Sequence, residues 1–324
     1  MAVRKKTESK TNAHWEREAL EKIALSALGE QKIARRWGIF FKSITFLYLF
    51  VLLFFAFGAS HTKGGSGNHT ALIEINGVIG EKEEVNAKDF FESVQRAYES
   101  RGTKGIILKI NSPGGSPVQA GMINDEIKRQ KKLHPHIPVY AVVEDICASG
   151  GYYIAVAADE IFVDKASIVG SIGVLMDGFG FTETMKKAGV ERRLMTAGSN
   201  KAMLDPFSPV NPKQQAFVQD MLNQVHEQFI QVVKDGRGNR LKESPETFSG
   251  LFWNGEAAVK LGLADGFGNY DYVAREIIKA EEVVDFTTYE GFADRFARKF
   301  GASLGSSMNE SLRTAILNQK LIIK

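Results

Sequence analysis

Two apolar runs that each end in a glycine-rich turn constrain this chain most. Gly105-Ile-Ile-Leu-Lys-Ile110 leads into Asn111-Ser112-Pro113-Gly114-Gly115-Ser116, and Pro138-Val-Tyr-Ala-Val-Val143 leads towards Cys147-Ala148-Ser149-Gly150-Gly151-Tyr152. Short apolar runs bounded by turn signals are the pattern of strands buried on both faces. Glycines at their ends let backbone approach backbone closely, so the two strand ends are expected to face one another across a cleft. Helical patterns over Lys88–Ser100, Val118–Lys132 and Gly150–Ala158 alternate with a first strand or hairpin over Ile73–Ile79 and strands over Glu160–Val163 and Ile168–Leu175. Such alternation predicts an α/β fold with a largely parallel sheet and flanking helices. A long helix over Pro212–Lys234 carries Phe217, Met221, Val225 and Phe229 as a core or subunit-interface stripe. Helices over Asn254–Leu261 and Tyr272–Ala280 and a strand over Val283–Tyr289 complete the pattern.

The 324 residues, 44% of them hydrophobic, suffice for one domain of about 200 residues with appendages. Residues 1–43 carry ten Lys/Arg against five Asp/Glu, whereas the rest carries 31 against 33. No basic domain remains to bind nucleic acid. The single cysteine, Cys147, excludes internal disulfides and a cysteine-pair metal site, and its apolar neighbours mark it as a core residue. Ile44–Ala59 is uncharged throughout; with Ile39–Phe41 it gives ~31 Å of helix, enough to cross a bilayer. Lys32, Arg35, Arg36 and Lys42 precede this segment and only Lys63 follows closely, which orients the N-terminus to the cytoplasm and the body of the protein outside. A cleaved signal peptide is the rival, but the segment before the apolar run is far longer than a signal n-region. An amphipathic helix over Glu16–Ile33 and a Gly/Ser-rich stretch over His61–Thr70 flank the anchor.

Ser149 is the candidate nucleophile. A serine hydroxyl needs a base to take its proton and backbone N–H groups aimed at the oxygen that becomes negative. None of the six histidines is an evident base: His14 lies in the tail, His61 and His69 in the linker, His134 and His136 in a proline-flanked loop, and His226 on the long helix. Position 147 is Cys, so Ser149 is not in a Gly-x-Ser-x-Gly elbow, and Ile230 stands where a His-Glu-x-x-His zinc site needs its second histidine. A lysine can serve instead if it is held neutral. Lowering a lysine pKa from about 10.4 to about 7 or 8 takes roughly 3 to 5 kcal/mol of desolvation or neighbouring positive charge, so the base is expected in an apolar cleft. Lys201, in Gly198-Ser-Asn-Lys201-Ala-Met-Leu-Asp205-Pro-Phe207, has the most apolar local company. The nearby Asp205 would spoil such a base by pairing with it, so its carboxylate is expected to point away.

Asn111-Ser-Pro-Gly-Gly115, Ala148-Ser-Gly-Gly-Tyr152, Gly170-Ser-Ile-Gly-Val174 and Lys201 followed by Asp205-Pro-Phe207, in that order, resemble the signal peptide peptidase A family of serine peptidases over residues 71–280. The first turn is also similar to one in the cytosolic Clp proteases, which use a histidine beyond the serine; the corresponding region here, Ser171–Met176, has none. The resemblance implies the Clp protease/crotonase-like fold, Ser149 as nucleophile and Lys201 as general base. It also implies an oxyanion hole from the N–H groups of Gly115 and Gly150, and Ser171 as the hydroxyl beside the lysine. No metal or other cofactor is implied. The absence of an internal repeat points to the short, single-copy form, whose members resemble homo-oligomeric rings, octamers among them, in which a neighbouring subunit can supply the lysine. The implied substrates are signal peptide remnants and other apolar peptides, cut at the outer face of a bacterial cytoplasmic membrane. The chain then divides into a cytoplasmic tail (1–36), a transmembrane anchor (37–59), a linker (60–70), a peptidase domain (71–288) and a C-terminal tail (289–324). Two rivals stand beside a Ser-Lys endopeptidase: a crotonase-like acyl-CoA enzyme, and a noncatalytic membrane scaffold.

Overall fold

The computed structural model describes residues 67–288 and, before them, most of residues 21–53. Much of the amphipathic helix expected over Glu16–Ile33, the anchor's last residues 54–59, most of the linker and the C-terminal tail lie outside the described residues. Helix α1 (Gln31–Leu53) is long and apolar enough to cross a membrane, with no buried residue in its apolar window.

Residues 62–291 form a separate compact unit. Its elements are β1 (His69–Asn76), α2 (Ala87–Glu99), β2 (Thr103–Ser112), α3 (Pro117–Leu133), β3 (Val139–Ala148), α4 (Gly150–Ala155), β4 (Glu160–Val163), β5 (Ile168–Gly170) and α5 (Thr182–Lys187). They continue with α6 (Pro212–Arg237), β6 (Phe252–Asn254), α7 (Gly255–Leu261), β7 (Gly266–Phe267), a helical turn through Tyr270–Ile278 and β8 (Val283–Asp285). The expected largely parallel α/β sheet with flanking helices is the fold observed. Its main path runs β6-β5-β3-β2-β1-β8, and only β5 with β6 is antiparallel.

Strand β3 forks. Its first half pairs Tyr140–Val142 with Glu160–Phe162 of β4, and its second half pairs Ile146–Ala148 with Ile168–Gly170 of β5. The fork carries the end of β3, and with it Ser149, out between two neighbours. Apolar side chains cover both sheet faces. Ile73, Ile75, Ile106, Leu108 and Ile110 pack in the larger cluster beneath α2, α3 and α4, while Leu72, Ile107, Val142 and Phe162 meet Val273 and Ala274 on the other face. Burial on both faces is why these strands appear as unbroken apolar runs.

Several boundaries differ from the sequence expectation. Strand β1 starts at His69, inside the expected linker; His69 and Thr70 are fully buried, with the Thr70 hydroxyl donating to the Ala280 carbonyl at 2.7 Å. Strand β5 stops at Gly170 rather than Leu175, because Gly170 turns to φ 114° and Ser171 to φ 53°. On α6 only the C-terminal half of the expected stripe is core: Phe229 is buried, while Phe217 and Met221 are exposed.

The far end of α6 is fixed by charge. Arg237, 1% exposed, forks onto both carboxylate oxygens of Asp265 at 2.8 Å and donates from Nε to the Gly262 carbonyl. Asp265 also accepts the Ile161 N–H at 2.7 Å, and the Tyr152 hydroxyl donates to the adjacent Leu263 carbonyl at 2.8 Å. Burial alone would raise the Asp265 pKa, but Arg237, the Ile161 N–H and Arg240 together bring it below the usual carboxylate value. A folded-state pKa below the unfolded one gives stability that is complete above about pH 5 and is lost as pH falls below about 4. Arg237→Ala is expected to cost about 3–5 kcal/mol, because it strands a buried carboxylate. Chemical denaturation of the detergent-solubilised chain across pH checks both, and the variant should also lose the part of the acid dependence that Asp265 supplies.

Candidate active site

Strand β3 delivers Ser149. Its last pair sets Ala148 opposite Gly170, and the Ser149 N–H donates to the Gly170 carbonyl at 2.9 Å. One residue later α4 begins, and the Tyr153 N–H returns to the Ser149 carbonyl at 2.9 Å. Ser149 is thus the corner between strand and helix, at φ 52° and ψ −121°, with a side chain that makes no capping hydrogen bond. A non-glycine residue there costs about 1–3 kcal/mol and persists only where its surroundings over-determine it. Here the Gly170 bond precedes it and the buried Gly150, Gly151 and Tyr152 follow. The sharp turn forms without the Gly-x-Ser-x-Gly pattern because crowding is relieved downstream instead. At Gly151, for example, a Cβ would already stand 3.0 Å from the Ser112 carbonyl oxygen.

The second glycine turn packs directly against this corner. Ile79 N–H donates to the Gly114 carbonyl at 2.9 Å, and Ser116 N–H donates to the Ile79 carbonyl at 2.7 Å. In such a parallel bridge the bonds come from the flanking residues, so the Gly115 N–H turns away from Ile79. A Cβ on Gly114 would lie 2.7 Å from both Gly150 N and Ser149 Cβ, and one on Gly150 would lie 3.3 Å from Gly115 N. The amides of Gly115 and Gly150 therefore approach the same small space beside Ser149, an arrangement suited to stabilising an oxyanion.

Ser171 follows directly on Gly170, the residue that accepts from Ser149; its own N–H donates to the Leu251 carbonyl at 2.7 Å. His226, half-buried on α6, donates from Nε2 to the Ile172 carbonyl at 3.0 Å and so braces the same strand end. That contact joins residues 54 apart, and no local pattern announces it. Cys147 is fully buried, and burial pushes its thiol pKa well up, so it is an inert core group.

Lys201 lies elsewhere. It is exposed in a wound segment in which its N–H donates to the Gly198 carbonyl at 3.1 Å and the Gln214 amide donates to Asn200 at 3.2 Å. Among the described residues its side chain shows no ion pair and no hydrogen bond to Ser149. Asp205 is turned to Arg192, whose Nη1 donates to both carboxylate oxygens, and to the Ser208 hydroxyl at 2.5 Å. Among residues 173–211 none is buried, and Leu175, Phe179, Met195 and Val210 stand in the open.

Residues 131–284 match a family model described as Peptidase family S49. The chain is 46% identical over 176 residues to a protein of Brucella melitensis named Na(+)/H(+) antiporter NhaA, covering 54% of this chain and 24% of that one. It thus spans about a quarter of that relative. It is 29% identical over 236 residues to a putative signal peptide peptidase SppA of Enterococcus faecium, covering 70% of this chain and 68% of that protein. Among solved structures, a variant of the 1510-N membrane-bound stomatin-specific protease overlaps 69% of this chain and 96% of its own at 15% identity and a TM-score of 0.37.

The glycine contacts separate two substitutions. Gly115→Ala puts a Cβ 2.0 Å from the Ile79 carbonyl oxygen at φ 149°, and is expected to cost more than about 2 kcal/mol of stability. Gly150→Ala meets nothing closer than 3.3 Å, so it should melt close to the parent while reaction at Ser149 slows about 10²-fold through a crowded oxyanion space. Thermal unfolding and the rate of serine labelling measure the two effects.

Proposed function

We propose that this chain, whose residues 131–284 match peptidase family S49 and which is similar to a putative signal peptide peptidase SppA, is a membrane-anchored serine endopeptidase that uses a Ser149–Lys201 dyad. One observation carries this: Ser149 is held at a strained strand-to-helix corner with the Gly115 and Gly150 amides packed beside it. In the proposed reaction the neutral Lys201 amine takes the Ser149 proton while Oγ bonds to the scissile carbonyl carbon. The resulting oxyanion lies on the two glycine N–H groups. The C–N bond then breaks, the lysine ammonium returns the proton to the departing amine, and an acyl-enzyme remains. Water, deprotonated by the same lysine, releases the new carboxylate and restores the serine.

The exposed Lys201 and the exposed apolar side chains between residues 173 and 211 fit a neighbouring subunit of a homo-oligomeric ring, an octamer in the family's short form, completing the dyad. In this reading Ser171 orients the lysine. The apolar helix α1 supports membrane anchoring, and the lysine and arginine residues before it favour a cytoplasmic N-terminus with the catalytic unit outside a bacterial cytoplasmic membrane. Signal peptide remnants and other apolar peptides are the substrates in this reading.

Mass spectrometry after incubation with a serine-reactive fluorophosphonate is expected to find the label on Ser149. An acyl-CoA enzyme that keeps only the oxyanion hole, or a noncatalytic scaffold, would leave that serine unlabelled. Ser149→Ala and Lys201→Ala are each expected to abolish hydrolysis of an apolar peptide ester with the assembly intact; full turnover in Lys201→Ala would remove the base assigned here.

A further inference from the structure

The Lys201 segment brings a carboxylate close to the group that has to lose its proton. Three successive turns, from Lys201 N–H to Gly198, Met203 N–H to Asn200 and Asp205 N–H to Ala202, wind residues 198–205 tightly. Lys201 and Asp205 stand four residues apart in this wound segment, so the long lysine side chain has a carboxylate on its own stretch of chain. Arg192 intervenes. Its Nη1 lies between both carboxylate oxygens of Asp205, its guanidinium lies 5.3 Å from the centre of the Phe207 ring, and Phe207 stacks on Phe181 at 5.5 Å. The Asp205 side chain is 9% exposed despite the openness of the segment around it.

We propose that Arg192 is a positioning residue for the base: by occupying the Asp205 carboxylate it leaves the Lys201 amine without a counter-ion. The inference rests on Lys201 being that base. Arg192 and the Ser208 hydroxyl hold the Asp205 carboxyl down at about 2, so it is charged at every pH at which the enzyme works, and that charge needs a partner. Arg192 is the charged group bonded to both of its carboxylate oxygens. The surroundings offer little else. Lys186 and Glu191 line the same pocket as Arg192, but Glu191 pairs with Arg193 at 3.4 Å. Lys213, in the first turn of α6, neighbours Gln214, which is bonded to Asn200. An Asp205 released from Arg192 has Lys201, four residues back, as a partner within reach. The pair would favour the ammonium and take the base out of action at neutral pH.

The test is the pH dependence of the second-order rate of fluorophosphonate labelling at Ser149, measured on the detergent-solubilised full chain. Arg192→Gln is expected to move the half-maximal pH up by about one unit, and adding Asp205→Asn should bring it back to the parent value, since no carboxylate remains to be released. Arg192→Lys, which keeps the charge without the fork, should lie between. If Arg192→Gln does not fold, the shift in Arg192→Lys and its removal by Asp205→Asn decide the matter. Variants that slow labelling at all pH values with an unmoved midpoint would make Arg192 merely structural and overturn the proposal, while leaving Lys201 as base. A Lys201→Ala protein that labels with the parent's rate and pH profile would instead remove the reading on which the proposal stands.

Discussion

The contact between two turns, Gly114 against Ser149 and Gly150, is the constraint on which the rest of the unit depends. A side chain on Gly114 would overlap the backbone amide of Gly150 and the Cβ of Ser149. The two turns therefore meet backbone to backbone, which is also how two N–H groups come to border one small space. Each turn is held there by its own strand. Strand β2 ends beside β3, with Ser112 paired to Cys147, and the Gly114–Ser116 turn is pinned to Ile79 from the other side. Parallel pairing of adjacent strands brings their C-terminal ends together, so the sheet itself places both turns at one edge.

The strain at Ser149 is sustained from beneath. Helix α4 is one and a half turns long and buried along most of its length, and Tyr152, three residues from the serine, anchors it to the Leu263 carbonyl. That carbonyl sits between Gly262 and Asp265, both of which Arg237 grips. Asn124 on α3 adds a bond from its amide to the Tyr153 carbonyl at 2.7 Å. An unfavourable backbone conformation is thus fixed by contacts drawn from α3, α6 and the loop after α7. The buried ion pair serves less as a source of net stability than as a peg that allows one arrangement.

The segment from 173 to 211 is built on another principle. No residue in it is buried, and its order comes from short turns, the Arg192–Asp205 pair and a stack of Phe181 on Phe207. The serine corner is complete within one chain, whereas the lysine stands in the open. If the proposed dyad is divided in this way, activity would depend on whatever surface covers the exposed segment. The charge pair lying nearest in sequence to Lys201 in this segment is Arg192 with Asp205.

The sequence by itself determined the strands, the two glycine turns and the α/β class, because a buried parallel strand needs an unbroken apolar run and a close backbone approach needs glycine. It also singled out Ser149 as a residue at a strand end beside one glycine pair and expected to face another. Short pieces escaped it: β6 and β7 are two or three residues long and take their pairing from strands distant in sequence, and α5 is a six-residue helix with no buried face. The early start of β1 was hidden by a linker-like composition, since His69 and Thr70 meet groups distant in sequence, such as Thr103 and the Ala280 carbonyl. Only the tertiary structure decided that β3 forks, that Ser149 takes a positive φ without a glycine two residues before it, and that Asp205 turns to Arg192 rather than to Lys201. Each of these turns on which groups meet across the chain, and local residue order carries no term for that.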